Sequence, residues 1–290
     1  MPATKTVERV YRSPEPHWVG DGFHVMGYFN MIPRAAARLS PFILLDYGAP
    51  TEFAPTDNMR RGVGPHPHRG FETVTIALQG SVAHHDSTGA GGVIGPGDVQ
   101  WMTAGAGILH REYHAEDFAR RGGTMQMAQL WVNLPAKHKM AAPGYQALTA
   151  SQMGVHRAPG VTVRVIAGEH EGAKGPARTF TPMHVFDVAL DAGATHEVML
   201  PGHYNTFAIA TGGRVHISGE PVEINELALF ANDGDAIRLE AQDDTRLLLF
   251  SGEPIAEPIA QYGPFVMNTP EQISEALSDF HRGKFGHLDE

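Results

Sequence analysis

The chain has no cysteine. That removes disulfides, thiolate metal sites and cysteine nucleophiles together, so any metal must be held by His, carboxylate, carbonyl or water. Positive charge is also scarce: 22 Lys and Arg stand against 32 Asp and Glu, a formal charge of −10. Phosphate backbones are bound by clustered cations, and the one basic run, Lys137-His138-Lys139, is too short to form such a surface. No apolar run approaches the roughly 18 residues that a spanning helix needs. The first ten residues contain no apolar core of a secretory signal. A cytoplasmic protein is expected, monomeric, with neither a nucleic-acid nor a membrane partner.

What the chain has in quantity is Gly and Pro, 33 and 21 residues, punctuating short runs of β-branched and aromatic residues. That texture predicts an all-β fold with many turns. Strands are expected at 73–78, 81–85, 92–94, 99–102 and 125–132. A second series is expected at 161–167, 185–190, 196–200, 206–210, 214–217, 227–230 and, in two pieces, 236–250. Gly89, Gly91 and Gly92 lack the Lys-Ser/Thr and following helix of a phosphate loop and read as a hairpin turn. Only the tail reads as a helix, about 270–282. Thr269 and Pro270 cap it, and Ile273, Ala276, Leu277 and Phe280 make one apolar stripe.

Length allows one large domain or two of about 150 residues. A weak repeat favours two: Ile76-Ala-Leu-Gln-Gly80-Ser-Val82 is echoed 133 residues later by Ile209-Ala-Thr-Gly-Gly213-Arg-Val215. The expected division is a first domain at 1–134, a crossing linker without strand pattern at 135–150, and a second domain at 151–290 that includes the helix.

His66 and His68 are spaced i, i+2, as are His110 and Glu112. On a β-strand that spacing sends both side chains to one face. Two neighbouring strands could thus aim three imidazoles and one carboxylate at a single point. Such a donor set suits Fe, Mn, Co, Ni, Cu or Zn, and an octahedral ion with four protein ligands keeps two positions for substrate and O₂. The second copy of the repeat is expected to lack the cage. Its His196 and His203 are not two apart, and Arg238 falls where His110 stands. Of the 17 His, His84, His85, His138, His196, His203, His216, His281 and His287 are expected to be structural. Trp101 and Met102 are expected to pack inside the fold.

The repeated unit with His-x-His and a later third His resembles the cupin superfamily. More narrowly, four phrases resemble the pirin family of bicupins. They are Pro65-His-Pro-His-Arg-Gly-Phe-Glu-Thr-Val-Thr75, Gly95-Pro-Gly-Asp-Val-Gln-Trp-Met-Thr-Ala-Gly105, Leu130-Trp-Val-Asn-Leu-Pro-Ala-Lys-His-Lys-Met140 and Tyr262-Gly-Pro-Phe-Val-Met-Asn268. The resemblance implies two tandem cupin barrels (double-stranded β-helix, or jelly roll) and a short C-terminal helix. It also implies one mononuclear divalent metal in the N-terminal barrel, usually Fe(II), held by His66, His68, His110 and Glu112. The general cupin pattern offers Glu72 as the carboxylate instead. The motif spacings depart from that pattern toward the pirin variant, so Glu112 is taken as ligand and Glu72 as support behind the ligands. His114, with the same strand parity as His110 and Glu112, is a further candidate ligand.

Through the likeness of pirins to cupin quercetin 2,3-dioxygenases, the resemblance also implies oxidative ring cleavage of a flavonol by O₂. The chemistry is Lewis-acid activation of the substrate hydroxyl with Glu112 as general base, depside formation and release of CO. Phe71 is expected to form a flat pocket wall. The alternative that the resemblance implies is a non-enzymatic, iron-dependent regulator docking on a transcription factor or a metabolic enzyme.

Overall fold

The computed structural model describes residues 3–288. The chain divides into two compact units, and each is an all-β barrel of two facing sheets. The first unit comprises Glu15–Phe29, Phe42–Ala150 and Ala256–Glu290; the second comprises Met1–Pro14, Asn30–Pro41 and Ser151–Ile255. Among the described residues no helix is long and apolar enough to cross a membrane.

In the first unit a seven-stranded sheet runs Gly144–Leu148, Val99–Thr103, Phe71–Gln79, Gly123–Asn133, Phe42–Phe53, Phe23–Gly27, His17–Val19 in hydrogen-bonded order. A four-stranded sheet faces it, in the order Gly62–His68, Ile108–His114, Val82–Asp86, Gly91–Ile94. Apolar side chains from both sheets, among them Val25, Ala77, Met127, Val82 and Ile94, fill one end of the space between them. The strand Phe71–Gln79 lies third of the seven, between Val99–Thr103 and Gly123–Asn133, and is buried on both faces over all but its last residue. That explains its nearly unbroken apolar and Thr composition. By contrast Ile108–His114 alternates, with His110, Glu112 and His114 buried and Leu109, Arg111 and Tyr113 half-buried. Inward-facing positions therefore fall on even numbers along this strand.

The second unit repeats the plan. Its larger sheet places Leu227–Phe230, Asn205–Gly212, Thr245–Gly252 and Met183–Leu190 side by side, matching Val99–Thr103, Phe71–Gln79, Gly123–Asn133 and Phe42–Phe53 of the first. The sequence echo between Ile76–Val82 and Ile209–Val215 thus marks the same central strand. Here the interior is closed by aliphatic packing of Val163, Val188, Ile217, Ile237, Leu239 and Leu249. Arg238, expected at the position of His110, instead points outward and pairs with Glu240 at 2.7 Å. The inward residues are its neighbours Ile237 and Leu239, so apolar filling rather than a cation excludes a cage there.

The boundaries differ from those expected in three ways. Residues 1–14 and 30–41, expected in the first domain, group with the second unit. The segment 135–150 is not a free crossing: Gly144–Leu148 pairs with Val99–Thr103 and completes the sheet edge of the first unit. The helix Pro270–His281, expected with the second barrel, belongs to the first. Its stripe of Ile273 and Ala276 packs with Phe265, Met267 and Phe285, with Leu109 against the cluster. Arg69, the residue after His68, fastens this assembly by an ion pair to Asp279 at 3.0 Å and a hydrogen bond from Nε to the Ala106 carbonyl at 2.7 Å. Gly70 beside it has φ +87°, and a Cβ there would stand 2.0 Å from the Val266 carbonyl. Only glycine allows that approach.

Candidate metal centre

The strand carrying His66 and His68 is written Gly62-Val-Gly-Pro-His-Pro-His68. Two prolines in a strand remove two ladder donors, which only a sheet edge tolerates, and this strand is indeed the edge of its sheet. Its one partner is Ile108–His114, with His66 opposite His110 and His68 opposite Ile108. On the other side of Ile108–His114, Asp86 stands opposite His110 and His84 opposite Glu112. Register and parity therefore gather His66, His68, His84, Asp86, His110 and Glu112 on one face of three adjacent strands.

The structure brings His66, His68 and His110 together. Their ring centroids are separated by 4.8 Å, 4.2 Å and 4.8 Å, and one ligating atom from each lies within 4.8 Å of the others. Burial, with the neighbouring imidazoles second, pushes His68 and His110 well below the usual imidazole range, so both are neutral near pH 7. A His66 ring nitrogen, Nδ1, lies 2.8 Å from the Gly64 carbonyl. A carbonyl only accepts, so Nδ1 carries the proton and Nε2 is the bare nitrogen.

His110 is oriented in the same way through a relay. His84 Nε2 lies 3.3 Å from Asp86 Oδ2, and His84 Nδ1 lies 3.3 Å from His110 Nδ1. The Asp86 carboxylate accepts from His84 Nε2, which leaves His84 Nδ1 to accept from His110 Nδ1 and His110 Nε2 with a lone pair. Burial raises Asp86, but donation from His84 and from the Thr88 side chain and backbone outweighs it, and the carboxyl ends below its ordinary value. Carboxylate support of this kind fixes the tautomer and raises the basicity of a ligating His.

Glu112 lies on the same face but is held by other groups. Its Oε1 accepts from Thr75 Oγ1 at 3.1 Å and from Gln100 Nε2, and its Oε2 accepts from Gln129 Nε2 at 2.9 Å. With His84 and His110 it forms a second close group. Tyr145 stacks on His84 with centroids 4.8 Å apart and planes at 10°, and burial, with the Glu112 and Asp86 charges, pushes its phenol up to about 12.

Do these residues fit a metal? His68 Nδ1 and His110 Nε2 are buried with no hydrogen-bond partner. Buried polar atoms left unpaired are costly. Three converging imidazoles beside a carboxylate, two of them with unpaired buried nitrogens, are the donor set of a first-row divalent ion. They fit.

His66, His68 and Glu112 form one wall of a cavity of about 330 Å³, and the fully buried His110 lies behind them. The rest is mainly apolar, from Val19, Phe23, Val25, Val63, Met127 and Trp131, with Asp46 and Gln129 as further polar groups. Burial pushes the Asp46 carboxyl up to about 6, partly opposed by His17. Four expectations change here. Phe71 does not line the cavity; it is wholly buried behind it, against His68 at 5.0 Å and Trp131 at 4.3 Å, and Trp131 presents the flat wall. Glu72 has the opposite strand parity to Thr75 and accepts from Thr103 Oγ1 at 2.7 Å, away from the cavity lining. His114 Nε2 bonds the Gly22 carbonyl at 2.8 Å and its ring packs on Phe23, Phe53 and Phe118, apart from the three imidazoles. His84, expected to be structural, sits at the centre. Its parity with Asp86 along 82–86 was the available signal, but only the register makes it meaningful.

Residues 22–132 match the family model for pirin, and residues 185–286 match that for the pirin C-terminal cupin domain. The chain is 49% identical over 284 residues to a Pseudomonas aeruginosa protein named, provisionally, a quercetin 2,3-dioxygenase, covering 97% of this chain and 98% of the other. Human pirin is 41% identical over 256 residues, covering 86% of this chain and 84% of its own. A crystal structure of quercetin 2,3-dioxygenase from Acinetobacter baumannii superposes with a TM-score of 0.94 at 48% identity, covering 99% of this chain and 100% of the other.

Proposed function

The chain belongs to the pirin family, and from that premise we propose that it is a metal-dependent dioxygenase that opens the ring of flavonols such as quercetin with O₂. The observation that carries this reading is the placement of His66, His68 and Glu112 on the wall of a largely apolar cavity, with His110 gathered against the two imidazoles and unpaired buried nitrogens on His68 and His110. A cavity of this volume is in the range that takes a drug-sized ligand, with few polar groups to orient it. The naming of the Pseudomonas and Acinetobacter relatives supports the same substrate class.

His66, His68, His110 and Glu112 would hold the ion, most simply Fe(II), which supplies a Lewis-acidic point for the substrate's enolic oxygen and a place for O₂. The residues themselves do the rest. The Asp86–His84 pair holds His110 in the tautomer that presents a lone pair. Gln100, Gln129 and Thr75 steer the Glu112 carboxylate, which accepts the substrate hydroxyl proton as general base. Trp131 offers a flat face to an aromatic ring, and Asp46, across the ladder from Gln129, accepts a phenolic hydroxyl in the same cavity. Val19, Phe23 and Val25 exclude water from the electron-rich flavonolate.

The test is aerobic incubation of the protein, reconstituted in turn with Fe, Mn, Co, Ni and Cu, with quercetin, following the loss of its near-visible absorbance. Turnover with at least one metal that vanishes in Glu112→Ala supports the reading. No turnover of any flavonol, together with recovery of a stoichiometric, metal-dependent protein partner, would replace it with a regulatory role.

A further inference from the structure

The second barrel lacks a cage at the positions equivalent to the first, yet three of its imidazoles meet elsewhere. His156, His170 and His196 each offer one nitrogen within 4.8 Å of the others. His170 Nε2 and His196 Nε2 are 2.9 Å apart, and the ring centroids are separated by 5.2 Å, 5.6 Å and 5.1 Å. We propose that this cluster is a second metal site, independent of the first, for a borderline divalent ion of the zinc type.

The three side chains come from three pieces of chain that no common ladder joins. His156 is on Gly154–Ala158, the edge strand of the seven-stranded sheet; His196 is on Thr195–Met199, the edge strand of the four-stranded sheet; His170 is on the separate hairpin formed by Glu169–His170 and Ala173–Lys174. His170 is buried, with its ring 5.5 Å from Phe186 of the core, while His156 and His196 are half-buried. An ion can enter from the side of the latter two.

The hairpin turn itself points the same way. Its two loop residues, Glu171 and Gly172, have φ +47° and +79°, the pattern of a turn that favours Asn, Asp or Gly at both positions. A Glu held left-handed is an uncommon and strained choice. Here it keeps a carboxylate near enough to His170 and His196 to act on both electrostatically. Three imidazoles plus a nearby carboxylate or water complete a tetrahedral set, whose nitrogens at Zn–N bond lengths lie about 3.3 Å apart. The His170–His196 pair needs only to open slightly from its 2.9 Å contact. The bound ion would staple both sheet edges and the hairpin at one point.

The test uses untagged, chelator-stripped, full-length protein titrated with Zn²⁺ by calorimetry and by metal analysis after dialysis. The wild type is expected to take two ions per chain. His156→Ala and His196→Ala, which change half-buried residues and spare the core, are expected to take one, with the weaker site lost by at least 100-fold and flavonol turnover unchanged. His68→Ala is expected to retain the second ion, and Zn²⁺ is expected to raise its melting temperature by several degrees, an increase absent when His156→Ala is added. Co²⁺ absorption in His68→Ala protein should show the intense visible bands of a tetrahedral centre. One ion per wild-type chain, or a stoichiometry and melting shift untouched by His156→Ala and His196→Ala, would overturn the proposal and leave the cluster as a hydrogen-bonded imidazole pair.

Discussion

His66 stands directly opposite His110 across the antiparallel pair of strands, their ring centroids 4.2 Å apart. Because side-chain direction alternates along a strand, a slip of one residue in this register would send one ring out of the cavity. The edge prolines Pro65 and Pro67 leave Ile108–His114 as the single ladder partner of that strand.

Asp86→Asn should weaken metal binding at this centre by about 10- to 100-fold while leaving the fold intact. Asp86 Oδ1 is already committed to the backbone and hydroxyl of Thr88, at 2.8 Å and 2.6 Å. The amide nitrogen of Asn must then face His84 Nε2, donor against donor. The relay reverses, and the proton moves onto the His110 nitrogen that faces the site. Metal titration against wild type checks this, with circular dichroism as the control for folding.

Asp46→Asn should raise KM for a polyhydroxylated flavonol by about 10-fold with little effect on kcat, since a hydrogen bond to a charged acceptor is worth about 1.5–3 kcal/mol. Flavonols lacking the corresponding hydroxyl should not distinguish the variant from wild type. A fall in kcat instead would place Asp46 in the chemistry rather than in binding.

Glu72 makes stability depend on pH. Burial pushes its carboxyl up to about 7, against donation from Thr103 and Trp101. In the unfolded chain it releases its proton near pH 4.5. Between these values the folded state holds more protons, so stability falls as pH rises through that window, by up to about 3 kcal/mol. Glu72→Gln mimics the protonated form. It should match wild type near pH 4 and exceed it at pH 8 in denaturant titrations.

Lys139 should prove structural although it lies in the basic run. Its ammonium is buried and donates to the Gly70 carbonyl at 2.8 Å, Asn133 Oδ1 at 2.5 Å and the Val266 carbonyl at 2.7 Å. Lys139→Met leaves three buried acceptors unpaired and should cost roughly 3 kcal/mol or more of unfolding free energy. A loss below about 1 kcal/mol would mean that water replaces the ammonium.

Much of the fold was legible because apolar alternation and Gly/Pro punctuation mark strands such as Val161–Ala167 and Leu227–Phe230, both found at the expected limits. The longest strand, Phe42–Phe53, was not. It contains Asp46, Gly48 and Pro50, and its pairing with Gly123–Asn133 is broken by two register shifts, so no two-residue period survives. That His66 and His68, and likewise His110 and Glu112, each share one strand face was readable from spacing, as parity is a local property. Asp46, His84, Asp86, Gln100 and Gln129 were not, because each joins the site through register between strands remote in sequence. The outward turn of Arg238 has the same cause: an offset counted along the chain cannot fix parity across loops of different length.

His66, His68, His110 and Glu112 of the first barrel would together hold one ion that remains open to substrate from the cavity. The most direct measurement pairs iron content with quercetin turnover in the same preparations, from empty to fully loaded, for wild type and His110→Ala. Turnover is expected to rise in proportion to iron up to one ion per chain at this centre, with both lost in His110→Ala. Full iron occupancy without turnover of any flavonol, or iron and turnover that survive His110→Ala, would contradict it.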